Sequence, residues 1–189
     1  MRRRRLDRAS RREELIVAAE RVLRERGLSA RVEDVVRQAG AAQGTFYVYF
    51  RTWEDLLLVL RERAFEGFDS RFPKVEALRS AEDWRAMVAA LPAMFTDLTL
   101  ELEGLHAVLF HGPIARVPPT EPRHDVMARL ADLFVAGTQA GALSVPQPRL
   151  AARLAFAMLH ETADLVEAGA DRTRATGGCA ALLSRALLA

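Results

Sequence analysis

The chain has 189 residues, of which 50% are hydrophobic and 28% charged, a composition typical of a globular protein long enough to bury a core. Its single cysteine, Cys179, excludes an intrachain disulfide and fits a reducing compartment. No apolar run approaches the roughly 20 residues that a bilayer span requires, and no apolar stretch follows Arg2–Arg5 as it would in a signal peptide. We therefore expect a cytoplasmic protein without a membrane partner.

Charge is distributed unevenly along the chain. Residues 1–51 hold 13 arginines against 7 acidic residues, a net charge of +6, whereas residues 52–189 carry −4. A basic segment confined to one end is expected of a module that binds phosphate groups. Charge alone leaves open a solvated basic tail with no partner.

The first quarter of the chain is predicted to form three helices. Apolar residues recur at helical spacing over 15–23, and Gly27 is expected to end that helix. A second helix over 32–39 and a third over 42–49 are separated by a turn at Gly40. Two short helices joined by a glycine turn, the second carrying polar and aromatic side chains, indicate a helix-turn-helix that binds DNA.

The remainder of the chain is also predicted to be helical. The pattern from Thr52 to Asp55 resembles a capping box that starts a fourth helix, which ends before Pro73 and leaves no flexible linker. Strands are not expected, because no alternating pattern of useful length is present. Further helices are predicted over 81–101, 104–112, 122–141, 147–169 and 172–188.

Residues at fixed spacing over the first three helices and the start of the fourth form a recognisable pattern. They are Leu15, Ala18-Ala19, Gly27, Val32, Asp34-Val35, Ala39-Gly40, Gly44-Thr45-Phe46-Tyr47, Tyr49-Phe50 and Glu54-Asp55-Leu56. With this pattern, residues 12–57 resemble the TetR family of transcriptional regulators. The resemblance implies an all-α fold: residues 1–53 form a basic arm and a three-helix DNA-binding domain, and residues 54–189 form a larger helical domain for effector binding and dimerisation.

Three positions depart from the family pattern. Arg31 lies near the point where the second helix usually begins with a small hydroxyl residue, and Ala42 stands where a serine usually caps the third helix. Loss of an N-cap hydroxyl costs about 1 kcal/mol. Trp53 replaces a lysine that usually meets phosphate, and we expect Arg51 to supply that charge.

The resemblance places the third helix in the major groove of DNA. Gln43 can pair bidentately with adenine, and Tyr47 corresponds to a family tyrosine whose hydroxyl meets a phosphate. Arginines of the N-terminal arm either follow the adjacent minor groove or form a disordered tail. The predicted DNA-binding residues are Arg31, Gln43, Gly44, Thr45, Tyr47, Tyr49 and Arg51.

A single module of this kind reads few bases, so a homodimer on a near-palindromic operator is expected. The resemblance implies an interface built from the last two long helices. The alternative is that their apolar stripes pack within one chain. The predicted interface residues are Leu150, Leu154, Met158, Leu165, Ala180, Leu183 and Leu187.

The middle helices are expected to hold a pocket for a small-molecule effector. Such pockets are mostly apolar with a few polar groups, and plain core packing is the alternative for each candidate. The candidates are Trp84, Met87, Leu91, Phe95, Leu98, His106, Phe110, Met127, Leu130, Phe134, His160 and Glu161.

The function predicted from these features is that of a dimeric repressor released from its operator by a small molecule. The alternative is a DNA-bound scaffold or protein-interaction factor of the same fold without an effector. An enzyme, a metal site and a cofactor are not expected, because glycine-rich phosphate loops and Gly-x-Ser-x-Gly motifs are missing. His106 and His111, five residues apart, are not expected to share a helix face.

Overall fold

The computed structural model describes residues 8–117 and 125–188. Arg2–Arg5 of the N-terminal arm and residues 122–124, at the start of the predicted helix over 122–141, lie outside the described residues. Within them the fold is all-α, as predicted. Two single-turn 3₁₀ helices, Gly27–Ser29 and Val75–Ala77, occur between the α-helices. The α-helices are α1 (Arg8–Arg26), α2 (Val32–Gln38), α3 (Gln43–Tyr49), α4 (Trp53–Asp69), α5 (Ala81–Leu100), α6 (Gly104–Phe110), α7 (Val126–Gln139), α8 (Pro148–Glu167) and α9 (Arg172–Leu187).

The chain divides into two compact units. Among the described residues, the N-terminal unit comprises 8–65 and 102–117, and the C-terminal unit comprises 66–101 and 125–188. The described part of the predicted 1–53 domain lies within the N-terminal unit, which also contains α6 and most of α4. These helices belong to it because their leucines are buried in the same core as those of α1.

The core of the N-terminal unit fixes the orientation of α3. Phe46 is fully buried, and its ring centroid lies 5.5 Å from that of Phe50 and 6.4 Å from that of Trp53. Because Phe46 faces inward, the opposite side of α3 is left at the surface. The largest buried neighbours from the other helices are Leu15, Ile16, Leu23, Leu56, Leu57 and Leu109.

Backbone hydrogen bonds hold the turn between α2 and α3. The N–H of Gly40 donates to Arg37 O (3.1 Å), and that of Ala41 donates to Val36 O (2.8 Å). Gly40 has φ = 58°, a left-handed conformation that glycine adopts without steric cost. The predicted capping box at α4 is confirmed, since the N–H of Asp55 donates to Thr52 Oγ1 and the N–H of Thr52 donates to Asp55 Oδ2.

The C-terminal unit packs α5, α7, α8 and α9 around a second apolar core. A capping box between Ser80 and Asp83 starts α5. At Gly137, a Cβ atom would lie 2.5 Å from Leu143 Cδ1 and 2.9 Å from Trp84 Cζ3, so this position admits no side chain without movement. Among the described residues, no helix has the length and apolar character needed to cross a bilayer.

Candidate nucleic-acid interface

One side of α3 is exposed and carries chemically distinct groups. Gln43 and Gly44 are exposed on its first turn, and Tyr47 and Val48 are 54% and 60% exposed one turn later. Residues three and four apart are neighbours on a helix surface, so Gln43 lies beside Tyr47, and Gly44 lies beside both Tyr47 and Val48. These four residues form a continuous surface, which we call the α3 face. The face combines an amide, a phenol and an apolar methyl pair.

Two further predicted DNA contacts on α3 are less accessible. Thr45 and Tyr49 are half-buried, and Tyr49 packs against the core of the N-terminal unit. Part of the Tyr49 side chain therefore belongs to the core of the N-terminal unit. Both residues flank the α3 face.

The predicted arginine contacts lie at the ends of neighbouring helices. Nη1 of Arg31 donates to the carbonyl oxygens of Leu28 (3.0 Å) and Ala30 (2.8 Å). A guanidinium has five N–H donors, so Arg31 retains donors for a phosphate. Arg51 is exposed, and its backbone N–H donates to Asp55 Oδ2.

The amide of Gln43 contacts α2. Its Nε2 donates to Glu33 Oε1 at 2.9 Å, while Ala42, at the N-cap of α3, supplies no side-chain cap. Sequence reasoning missed both Glu33 and Val48. Helical spacing could have placed Val48 beside Gly44, four positions earlier, whereas no local signal links Glu33 to a residue ten positions away.

Ion pairs join the helices that support the α3 face. Asp34 Oδ1 lies 3.2 Å from Arg26 Nη1 and 3.1 Å from Arg37 Nη1, which joins α2 to the end of α1. Arg63 of α4 donates to Glu13 of α1, and this hydrogen bond lowers the pKa of Glu13 below its ordinary value. The result is a small helical unit held by polar contacts as well as by its core.

A buried arginine lies in the N-terminal unit. Arg61 of α4 is 3% exposed, and its Nη1 donates to the carbonyl oxygens of Ile114 (2.9 Å) and Val117 (2.7 Å). Burial lowers the pKa of Arg61 below its ordinary value. This side chain fastens the segment after α6 to α4.

Comparison with known proteins identifies the N-terminal unit. Residues 15–60 match the family model described as "Bacterial regulatory proteins, tetR family". A curated protein, "Uncharacterized HTH-type transcriptional regulator YvdT" of Bacillus subtilis (strain 168), is 43% identical over 51 residues. Residues 15–60 therefore form a domain of the TetR family. The alignment with YvdT spans 26% of this chain and 26% of that protein.

Solved structures resemble the chain over nearly its whole length. A protein of unknown function from Rhodococcus sp. RHA1 matches with a TM-score of 0.75 and 24% identity, covering 100% of both chains. The transcriptional regulator FadR from Bacillus subtilis, in complex with stearoyl-CoA, matches with a TM-score of 0.67 and 22% identity. That match covers 90% of this chain and 96% of FadR. At these identities the likeness shows the fold.

The predicted effector residues of this chain occupy three kinds of position. His106 and Phe110 lie in the N-terminal unit, with ring centroids 5.4 Å apart. Met127 is 42% exposed and Glu161 is also exposed, so both lie at the surface. The remaining candidates belong to the interior of the C-terminal unit: Trp84, Met87, Leu91, Phe95, Leu98, Leu130 and Phe134 are buried, and His160 is half-buried.

Aromatic rings cluster around Phe95 in the C-terminal unit. Its centroid lies 5.5 Å from Phe68, 5.7 Å from Phe156 and 5.1 Å from His160. Phe156 and His160 are 4.7 Å apart. The cluster combines apolar faces with one imidazole, as ligand pockets commonly do.

The structure brings His106 and His111 together, contrary to the expectation from their spacing. Their ring centroids are 5.1 Å apart and nearly perpendicular. The reason is that α6 ends at Phe110, so His111 lies at the C-cap and no longer follows helical spacing. Two imidazoles supply half of the four ligands of a structural zinc site.

The predicted dimer residues also differ in exposure. Leu150, Leu154 and Leu165 are exposed, whereas Leu183 and Leu187 are buried within the chain itself. Met158 and Ala180 are half-buried. A groove of about 400 Å³ lies between α8 and α9, and its lining includes Leu150, Leu154, Met158, Leu183, Ala186 and Leu187. Leu182, which sequence reasoning missed, is exposed on α9.

Proposed function

We propose that this protein is a DNA-binding transcriptional regulator that acts as a homodimeric repressor and leaves a near-palindromic operator when a small molecule binds its C-terminal unit. The observation that carries the proposal is the α3 face, which projects Gln43, Tyr47 and Val48 from a helix anchored by buried Phe46. The match of residues 15–60 to the TetR family supports the same role.

Each group on the α3 face has a chemical partner on duplex DNA. The Gln43 amide suits the N6 and N7 atoms of adenine, and the methyl groups of Val48 suit the methyl group of thymine. Tyr47 can donate its hydroxyl to a phosphate, and the guanidinium groups of Arg31 and Arg51 add charge. Phosphate contacts set the register of the protein on DNA, while base contacts set sequence preference.

Exposed leucines on α8 and α9 support the dimer. Leu150 and Leu154 are one turn apart on α8 and line the apolar groove between α8 and α9, and Leu182 is exposed on α9. A second copy covering this surface would remove these side chains from water, which is the main driving force of association. Two α3 faces would then read two half-sites.

The Phe95 cluster supports an effector site in the C-terminal unit. The solved structure of FadR with stearoyl-CoA has a similar fold, which is why we propose a largely apolar effector. The effector releases DNA only if it binds the low-affinity state more tightly than the DNA-binding state. A coupling of roughly 1–3 kcal/mol changes DNA affinity about 5- to 150-fold.

Close packing favours a second candidate function, a DNA-bound scaffold without an effector. Trp84 and Phe134 are buried, and the interior is filled at Gly137, where a Cβ atom would collide with Trp84. A C-terminal unit filled in this way would present its surface to protein partners.

The test is fluorescence anisotropy with duplex DNA from upstream of the protein's own gene, in a salt series with random DNA as competitor. We expect competitor-resistant binding at two protomers per duplex. Gln43→Ala should weaken this binding at least about 5-fold, whereas Gln139→Ala, which removes an exposed amide at the end of α7, should not. Binding no tighter than to random DNA would contradict the proposal.

Stearoyl-CoA serves as the first effector probe in the same assay. Release of the duplex would support a long-chain apolar effector. Stearoyl-CoA that binds the protein without changing the affinity for DNA would exclude it as the effector and favour the scaffold function.

A further inference from the structure

The contact between Glu33 and Gln43 joins α2 to the DNA-facing surface of α3. The Gln43 Nε2 atom donates to Glu33 Oε1 at 2.9 Å, and both side chains are exposed. We propose that Glu33 is a positioning residue that fixes the direction of the Gln43 amide and so gives the protein its preference for adenine at one position of each half-site. This inference rests on the proposed function.

The direction of the amide follows from the chemistry of its partner. An ionised carboxylate only accepts hydrogen bonds, so Gln43 turns its Nε2 towards Glu33. A flipped amide would place Oε1 against Glu33, where two acceptors repel each other. In the observed direction, Oε1 and the second hydrogen on Nε2 remain available to a base.

An acceptor beside a donor matches adenine better than guanine. In the major groove adenine presents the N6 donor and the N7 acceptor, whereas guanine presents two acceptors, N7 and O6. The Gln43 amide held by Glu33 therefore makes two hydrogen bonds to adenine and one to guanine. Without Glu33, the second N–H of the amide would be free and the amide could rotate, which would lower the fraction of molecules ready for adenine.

The support for Glu33 is rigid. Its neighbour Asp34 accepts from the backbone N–H of Arg31 at 3.2 Å and pairs with Arg26 and Arg37. Val35, the following residue, is buried in the core of the N-terminal unit. These contacts fix the first turn of α2 and with it the backbone of Glu33.

The experiment is selection from a duplex DNA pool that carries a randomised segment, followed by affinity measurement for each base at every selected position. Because the pool is random, the selection works without a known operator sequence. The proteins compared are the wild type, Glu33→Ala, Glu33→Gln, Gln43→Ala and the double variant Glu33→Ala/Gln43→Ala. Glu25→Gln, which removes an exposed carboxylate at the end of α1, is the matched control for charge.

For the wild type we expect adenine to be preferred over guanine by about 5- to 100-fold at one position of each half-site. Glu33→Ala should reduce this ratio about 2- to 10-fold, the equivalent of one exposed hydrogen bond. Glu33→Gln should reduce it similarly, because a glutamine can either donate or accept and no longer dictates direction. Gln43→Ala should abolish the preference, and adding Glu33→Ala should then change nothing more.

The selection experiment distinguishes an effect of the Glu33 charge on overall DNA affinity from an effect of Glu33 on the direction of the Gln43 amide. Loss of the carboxylate raises affinity for all sequences equally, through weaker repulsion of phosphate, and Glu25→Gln should leave the adenine-to-guanine ratio unchanged. A wild-type ratio retained in Glu33→Ala, or a Glu33→Ala effect that persists without Gln43, would overturn the inference and leave the proposed function standing. Failure of the wild type to select any motif would instead refute the proposed function.

Discussion

Arg61 offers the sharpest test of how the N-terminal unit is held together. The guanidinium lies in the interior and donates from Nη1 to Ile114 O and Val117 O, at 2.9 and 2.7 Å. The perturbation we consider is Arg61→Met, which preserves much of the apolar stem and removes the charge and both hydrogen bonds. The two carbonyl oxygens then lose their donor.

The expected loss of stability follows from two opposing terms. Each hydrogen bond to a charged group contributes about 1.5–3 kcal/mol. Against this, burial of the cation is costly, as the lowered pKa of Arg61 indicates, and methionine avoids that cost. We therefore expect Arg61→Met to reduce the free energy of unfolding by about 2 kcal/mol.

Urea unfolding followed by tryptophan fluorescence measures this loss. Trp53 lies in the N-terminal unit and Trp84 in the C-terminal unit. In a Trp84→Phe background, the fluorescence of Trp53 therefore reports on the N-terminal unit alone. Arg21→Met, at an exposed position on α1, is the matched control and should change stability by less than about 0.5 kcal/mol. Hydrogen exchange should accelerate within residues 112–117 in Arg61→Met.

Two results would refute the reasoning about Arg61. The first is an unfolding free energy within about 0.5 kcal/mol of the background protein at an unchanged denaturant slope. The second is equal exchange rates within residues 112–117 in both proteins. Either would mean that the guanidinium does not fasten this segment.

Three other predictions follow from local contacts. Gly137→Ala should destabilise the protein by about 1–3 kcal/mol through overpacking, whereas Gly178→Ala, which meets nothing within 4 Å, should not; equal thermal shifts would contradict this. Because the hydrogen bond from Arg63 lowers the pKa of Glu13, Glu13→Gln should cost at most about 1 kcal/mol at neutral pH. That difference should be complete above the ordinary carboxyl pKa of about 4.3 and disappear as pH falls through the lowered pKa of Glu13; an equal difference at pH 7 and in strong acid would count against it. Replacing a contacted thymine by deoxyuridine should weaken wild-type binding about 4-fold, the effect of one methyl group, and should weaken Val48→Ala less; equal losses in anisotropy titrations would exclude a methyl contact by Val48.

Local pattern explains which parts of the fold could be predicted. The helical spacing of apolar residues, together with the helix end at Gly27 and the turn at Gly40, predicted α1, α2 and α3. These signals depend only on residues that are near each other in sequence. The capping box at Thr52 was predictable for the same reason. The exposed positions of Gln43 and Tyr47 follow once the inward face of α3 is known.

Contacts between distant residues could not be predicted from these patterns. An apolar stripe on α6 does not reveal which core it joins, and Leu105 and Leu109 are buried with α1 and α4. Arginine is rarely buried, so nothing in the sequence distinguished buried Arg61 from half-buried Arg63. Leu182 and Leu183 are adjacent, yet only Leu183 is buried, because the packing of α9 sets its rotation.

The central claim is that two copies of this chain read DNA through the α3 face, and hydroxyl-radical footprinting of upstream DNA tests it most directly. We expect two protected patches centred about one helical turn of DNA apart, or a multiple of it. At a protein concentration near the wild-type dissociation constant, Gln43→Ala should weaken both patches, whereas Gln139→Ala should retain them. Uniform weak protection along the fragment, or a footprint unchanged by Gln43→Ala, would contradict the claim.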